Sequence, residues 1–159
     1  MDFSFPAHST TGVLNGDDLT FFYYDIGLDN LQSWPDAYDW DSVVSEFKGR
    51  LDIEACTSDQ MPKDFVPNTI RFTVPDNKSP GNESKAAAFF RHLRNVFAHY
   101  RVAREGDNYV LYDDNGHAPT MRGFVNTELL KRFCFSFFDL RDKIINDLEI
   151  SNNPNIENQ

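Results

Sequence analysis

The residues best suited to chemistry lie close together in one short run, at Arg94, Asn95 and His99. Arginine offers a rigid fork of donors that matches phosphate oxygens. Histidine, with a reference pKa of about 6.5, can accept and return a proton at cellular pH. Asparagine can orient a water, a hydroxyl or an imidazole, and residues four apart on a helix are neighbours. This combination suits the cleavage of a phosphodiester bond.

The same run lies within a basic stretch of an acidic protein. The formal net charge of −10 argues against a protein that coats nucleic acid in general. Residues 1–64 hold 13 acidic and 3 basic side chains, whereas residues 85–104 hold five basic side chains and no acidic one. Such a stretch is often only a solvated face, but a phosphate-bearing ligand would bind there. The candidate residues for contacts to such a ligand are Arg91, His92, Arg101 and Arg104.

A helix from about Ser84 to Tyr100 is predicted to carry the run, because Ser84 suits a helix cap and the following Lys-Ala-Ala-Ala favours helix. At about 100° per residue, one stripe of this helix is apolar and predicts the core-facing side. Its members are Ala86, Phe89, Phe90, Leu93, Val96, Phe97 and Tyr100. The arginines, histidines and Asn95 lie outside that stripe, and the spacing therefore predicts that they face away from the core.

The directions in which the motif residues point around this helix also favour a symmetric homodimer. Arg94 lies about 140° round the helix from His99, so a site that uses both side chains is easier to assemble where two such helices meet. The small Ala98 between them would allow a second helix to approach closely.

The rest of the chain predicts a single domain that frames this helix. With 40% hydrophobic residues and 15 Phe, the 159-residue chain can fill a core without disulfides or metals. Before the motif helix, the expected elements are an irregular arm (1–18), an aromatic strand or short helix (19–25), a helix from Ser33 into the fifties, a loop (57–68) and a strand (69–74). After the motif helix, they are a hairpin (102–105 with 109–112), a turn (113–119), a helix from Asn126 or Thr127, and a frayed tail (151–159). The pattern predicts a small α+β protein with three helices and one or two short hairpins.

The run Leu93-Arg-Asn-Val-Phe-Ala-His99 resembles the signature of the HEPN superfamily, the higher eukaryotes and prokaryotes nucleotide-binding domains. That signature is an Arg, a polar residue that is very often Asn, three variable residues and a His, all on one helix. The hairpin that follows, over 100–113, is also similar to the region after the motif in several bacterial branches. The resemblance implies a mainly α, HEPN-like helical bundle with a β-hairpin inserted after the motif helix.

The resemblance also implies a function. Many HEPN proteins are metal-independent endoribonucleases that dimerise with their motif helices facing each other, and they act in toxin–antitoxin, abortive-infection and CRISPR-linked defence. Carried over, Arg94 and His99 are the catalytic pair and Asn95 is the polar residue beside the Arg. In the toxin branch inactivated by a nucleotidyltransferase antitoxin, a Tyr lies two positions after the motif His, where this chain has Arg101. Expected partners are an RNA substrate, a second copy and an antitoxin protein.

Two alternatives stay open. The first is a non-catalytic HEPN-like module that holds RNA or a nucleotide with Arg91, His92, Arg94 and Arg101. The second is an unrelated helical protein in which the spacing of Arg94 and His99 is a coincidence. RNA cleavage by the purified dimer without metal separates the catalytic reading from the first alternative.

The remaining titratable residues predict structural roles. Asp107, Asp113 and Asp114 favour turns rather than a cation site, and the two histidines at positions 8 and 117 are expected at the surface. Cys134 is expected in the core. No metal or cofactor is expected, since no ligand cluster accompanies the motif. The start of the chain does not resemble a signal peptide and no apolar run reaches about 20 residues, which predicts a cytoplasmic protein with no membrane segment.

Overall fold

The computed structural model describes residues 40–75, 83–99, 101–137 and 139 of the chain. The helices are α1 (Trp40–Glu46), α2 (Lys85–Ala98) and α3 (127–137), and a 3-10 turn covers Ser58–Gln60. The strands are β1 (Asp52–Cys56), β2 (Thr69–Thr73), β3 (Val102–Glu105), β4 (Asn108–Asp114) and β5 (Pro119–Asn126). They form one five-stranded sheet in the order β1-β2-β5-β4-β3. The pair β1–β2 is parallel and the other three pairs are antiparallel.

The prediction of a mainly α helical bundle is wrong, because the sheet is the largest element of this α+β fold. Two of its strands were missed. The segment of β1 was expected to continue the first helix, and the segment of β5 was not assigned to any element. Strand β5 pairs with β2 on one side and with β4 on the other, so its hydrogen bonds come from segments far away in the sequence. The local amino-acid composition of a segment does not indicate such pairing with distant segments.

Three other local predictions are confirmed: the cap of α2, the hairpin and the start of α3. Ser84 caps α2, and its hydroxyl oxygen accepts a hydrogen bond from Ala87 N at 3.0 Å. β3 and β4 form the expected hairpin, in which Gly106 takes the positive φ of +61° that its tight turn requires. Asn126 begins α3, since its Oδ1 accepts from the backbone N–H groups of Glu128 and Leu129 at 3.0 and 3.1 Å.

α1 is a short helix that follows the predicted pattern of buried residues. Trp40, Val43 and Phe47 are buried at helical spacing, as expected. The chain then turns at Gly49, which has a φ of +90°, and Leu51 N donates to Phe47 O at 2.9 Å. Gly49 therefore separates α1 from β1, where the sequence had predicted one longer helix.

The core lies between the sheet and the three helices, and aromatic rings dominate it. The Trp40 ring has its centroid between 5.4 and 5.7 Å from four phenylalanine rings in edge-on or tilted contacts. These rings belong to Phe72 of β2, Phe89 of α2, and Phe133 and Phe137 of α3. One cluster therefore joins α1, α2 and α3 to the sheet and fixes the helix that carries the motif.

Several predictions lie outside the described residues. They are the arm (1–18), the aromatic segment (19–25), the helix start at Ser33, His8, Tyr100 and the tail (151–159). Within the described ranges, no helix has the length and apolar character needed to span a membrane.

Candidate functional site

The three motif residues lie on the last two turns of α2. Arg94 and Asn95 are half-buried, and His99 is exposed at the C-cap of the helix. Arg94 Nη1 donates a hydrogen bond to Asn95 Oδ1 at 3.1 Å. The backbone N–H of His99 donates to Asn95 O at 2.9 Å. Asn95 therefore orients the guanidinium through its side chain and supports the position of His99 through its backbone.

This arrangement has a clear chemical capacity. His99 is exposed at the C-cap of the helix, so a substrate can reach its imidazole. Arg94 is half-buried, and partial burial strengthens the attraction between a cation and an anion. A proton-transfer group and a phosphate-binding group thus share the end of one helix. Ala98, which lies between them on the wheel, is half-buried.

Arg91, predicted to contact RNA, forms an ion pair within the protein. Its Nε and Nη2 donate to the two carboxylate oxygens of Glu83 at 2.8 and 2.9 Å. Glu83 lies just before the acid-free stretch, and the chain brings it back over the first turns of α2. A phosphate would have to displace this two-point contact, which is the strongest geometry that arginine forms with a carboxylate.

Arg101 is also paired. Its Nη1 lies 2.9 Å from Asp114 Oδ2, and its guanidinium carbon lies 6.0 Å from the centre of the Tyr112 ring. Burial by itself would raise the pKa of Asp114, but hydrogen bonds from Arg101 and the Gly116 N–H, with the charge of Arg101, outweigh burial and lower it. Arg104, in the same basic stretch, donates from Nε to Gly106 O at 3.3 Å in the hairpin turn.

The prediction that His92 lies on an RNA-facing side of the helix is wrong, because its side chain is only 2% exposed. Its Nδ1 lies 3.1 Å from Asp113 Oδ2, and its Nε2 lies 2.8 Å from Thr73 O. On the wheel His92 is about 40° from the apolar stripe at Val96. The sheet covers that extra arc, since the imidazole contacts Thr73 of β2 and Asp113 of β4.

The sequence analysis missed the partner of His92. Asp113 was taken as a turn former, but it belongs to β4, is 3% exposed, and accepts a hydrogen bond from Thr120 Oγ1 at 3.1 Å. A usable signal was present, since Tyr109, Leu111 and Asp113 alternate along the strand and therefore share its core-facing side. The turn predicted over 113–119 is confirmed only over 115–118, where Asn115 Oδ1 accepts from the backbone N–H groups of His117 and Ala118.

The remaining predicted positions agree with the structure where it describes them. Cys134 is fully buried in the core and His117 is exposed. Burial raises the pKa of the Cys134 thiol far above its ordinary value. Among the described residues, no three His, Cys, Asp or Glu side chains are grouped so that they could hold a metal ion.

Comparison with known proteins identifies no relative. No protein-family model, no curated protein and no solved structure matches this chain. The protein is therefore described by its own fold and site. It is an α+β protein with a mixed five-stranded sheet, and its helix α2 carries Arg94, Asn95 and His99 near its C-terminal end.

Proposed function

We propose that this protein is a metal-independent endoribonuclease of the HEPN type that acts in the cytoplasm as a toxin or phage-defence effector. The observation that carries the proposal is the end of α2, where an exposed imidazole at His99 follows a half-buried guanidinium at Arg94 that is oriented by Asn95. The reaction requires a proton carrier and a phosphate-binding cation, and these side chains supply both.

In the proposed mechanism the ribose 2′-oxygen attacks the adjacent phosphorus. The new bond joins the 2′-oxygen to phosphorus, and the bond from phosphorus to the 5′-oxygen breaks. His99 takes the proton of the 2′-hydroxyl or supplies a proton to the leaving 5′-oxygen, and Arg94 stabilises the charge on the phosphate. The products carry a 2′,3′-cyclic phosphate and a 5′-hydroxyl.

We propose a homodimer for this site. Arg94 and His99 are about 140° apart around the helix, so one copy presents them in different directions. Two copies related by a two-fold axis would place Arg94 of one copy near His99 of the other. In such a dimer, one imidazole can accept the 2′-proton while the second donates a proton to the leaving oxygen.

The ion pairs of Arg91 and Arg101 reduce the number of side chains that we expect to contact phosphate. Arg91 and Arg101 each face a carboxylate at 2.9 Å or less, so RNA could reach them only by exchanging a carboxylate for a phosphate. His92 is buried and does not contribute. We therefore expect Arg91 and Arg101 to contribute less to binding than their charges suggest.

The test is cleavage of a labelled single-stranded RNA by the purified protein in excess EDTA. We expect cleavage that leaves 2′,3′-cyclic phosphate ends, with a loss of about 100-fold or more in His99→Ala and Arg94→Ala. His117→Ala and Arg132→Ala are matched controls, because both residues are exposed and lie on other elements. These controls should cleave at the wild-type rate, and all four variants should stay folded.

Three results would contradict the proposal. Cleavage that depends on Mg²⁺ or Mn²⁺ would show that the proton-transfer role proposed for His99 is wrong. Wild-type activity in a folded His99→Ala variant would show that the motif does not take part in cleavage. RNA binding without any cleavage by the wild type would favour the non-catalytic binding module instead.

A further inference from the structure

Strand β1 forms one edge of the sheet, and β2 is its only neighbouring strand within the described ranges. Asp52 N donates a hydrogen bond to Asn68 O at 2.8 Å, on the side of β2. Successive residues of a strand direct their backbone groups to opposite sides, so the N–H and C=O groups of Ile53 and Ala55 point away from β2. These groups can pair with a further strand.

A cavity of about 430 Å³ adjoins this edge. Its lining comes from α1, from the turn after α1 and from β1, and among the described residues it includes none from β2. The cavity therefore lies on the free side of β1. Its apolar part is formed by Val44, which is half-buried, and by Leu51 and Ile53, which are buried. A strand added beside β1 would direct alternate side chains toward this apolar part.

The other face of β1 is acidic. Asp52 and Glu54 flank Ile53 in the strand and are exposed on the face away from the helices. Arg71 of β2 donates to both carboxylate oxygens of Asp52 at 3.1 and 3.0 Å, and its Nη2 lies 3.8 Å from Glu54 Oε2. Two carboxylates therefore share one guanidinium, which leaves an excess of negative charge beside the free edge.

We propose that β1 binds an extended segment of a partner protein by β-strand addition, and that this segment carries an apolar residue between two basic residues. Residues directly opposite each other on adjacent strands share one face of the sheet. The residue opposite Ile53 therefore points to the cavity, and its two neighbours lie opposite Asp52 and Glu54. Opposite charges in such cross-strand pairs are stabilising. This interaction does not depend on the proposed ribonuclease activity.

The charges of β1 argue against a second copy of this chain at the same edge. Two β1 strands related by a two-fold axis perpendicular to the sheet would place Asp52 and Glu54 of one copy opposite the same residues of the other. Like charges directly opposite each other are destabilising. Lys48 also borders the cavity, but it follows α1 on the helix side of the sheet, away from the face that carries the basic residues of the segment.

The test uses a synthetic β-hairpin peptide whose exposed strand reads Thr-Lys-Ile-Lys-Thr, because a preformed strand loses less entropy on binding. A hairpin with glutamate in place of both lysines is the matched control peptide. Both are titrated into the isotope-labelled full-length protein and followed by NMR. We expect the lysine hairpin, at about 1 mM, to shift the backbone amide signals of Asp52–Cys56 and to slow hydrogen exchange at Ile53 and Ala55. The glutamate hairpin should bind at least about fivefold more weakly.

Three variants locate the contact. Glu54→Lys reverses an exposed charge beside Ile53, so it should weaken binding of the lysine hairpin about fivefold and strengthen binding of the glutamate hairpin by a similar factor. Glu105→Lys makes the same charge change on β3, at the opposite edge of the sheet, and should leave both affinities unchanged. Ala55→Pro removes a backbone N–H on the free side of β1 and should abolish binding. If Ala55→Pro does not fold, the charge reversal at Glu54 decides the question.

Four results would overturn the proposal. They are equal affinity of the two hairpins for the wild type, equal effects of Glu54→Lys and Glu105→Lys, signal changes confined to elements other than β1, and no saturable change with either hairpin. Slow exchange at Ile53 that depends on protein concentration, with no peptide present, would also overturn it and would assign the edge to a second copy.

Discussion

Arg101 Nη1 lies 2.9 Å from Asp114 Oδ2, so an acidic residue at the end of β4 neutralises a basic residue that follows the motif helix. Glu83 does the same for Arg91 at the other end of that helix. The sequence shows an uninterrupted basic stretch, but among the described residues the fold brings carboxylates to Arg91 and Arg101. An anion that approaches α2 therefore meets a weaker positive surface than the charge count suggests.

Removal of the Asp114 carboxylate should have a small effect that depends on pH. Because Arg101 and the Gly116 N–H hold the pKa of Asp114 below its ordinary value, its contribution is present above about pH 4 and is lost as pH falls through the folded-state pKa. Asp114→Asn should cost less than about 1 kcal/mol at pH 7, since the pair is partly exposed. The difference in free energy of unfolding between variant and wild type should shrink toward pH 3. A difference that is equal at pH 7 and pH 3 would show that the ion pair contributes nothing.

Gly123→Ala should destabilise the centre of the sheet. A Cβ at this position would lie 2.9 Å from Ile70 Cγ1 and 3.3 Å from Leu111 Cδ1, and both neighbours are fully buried. We expect a loss of about 1–3 kcal/mol in the free energy of unfolding, measured in urea. The cost should be smaller in an Ile70→Ala background, where the clashing atom is absent. An equal cost in both backgrounds would exclude this steric explanation.

Ser84→Ala should weaken the start of α2. The Ser84 hydroxyl oxygen accepts from Ala87 N at 3.0 Å, and loss of such a cap costs about 1 kcal/mol. Ser45→Ala is a control, because Ser45 is exposed in α1. Urea unfolding should show the loss for Ser84→Ala and less than about 0.5 kcal/mol for the control. Equal values for the two variants would show that the cap contributes no stability of its own.

The two cysteines should differ in reactivity. Burial raises the pKa of both thiols, but Cys134 is fully buried in the core, whereas Cys56 at the end of β1 is half-buried. The thiolate is the reactive species, so a thiol reagent at pH 8 should modify Cys56 first and reach Cys134 only when the protein unfolds. Mass spectrometry after timed labelling of the wild type and of Cys56→Ser measures this order. Rapid labelling of folded Cys56→Ser would contradict the packing of α3.

The sequence by itself determined the features that depend on near neighbours. Ser84 and Asn126 were identified as helix starts because their side chains bond to backbone groups two or three residues away. The hairpin at Gly106 was identified because its turn needs a positive φ. The grouping of Arg94, Asn95 and His99 at the end of one helix also follows from spacing alone.

Only the tertiary structure decided the sheet and the surroundings of the motif. Strand β5 depends on hydrogen bonds to β2, some 50 residues earlier in the chain, and no local pattern carries that information. The burial of His92 and its pairing with Asp113 depend on how wide an arc of α2 the sheet covers, which the apolar stripe underestimates. The charge around Arg94 depends on carboxylates that the fold brings to Arg91 and Arg101. Each of these features depends on contacts between separate elements, and such contacts exist only once the chain has folded.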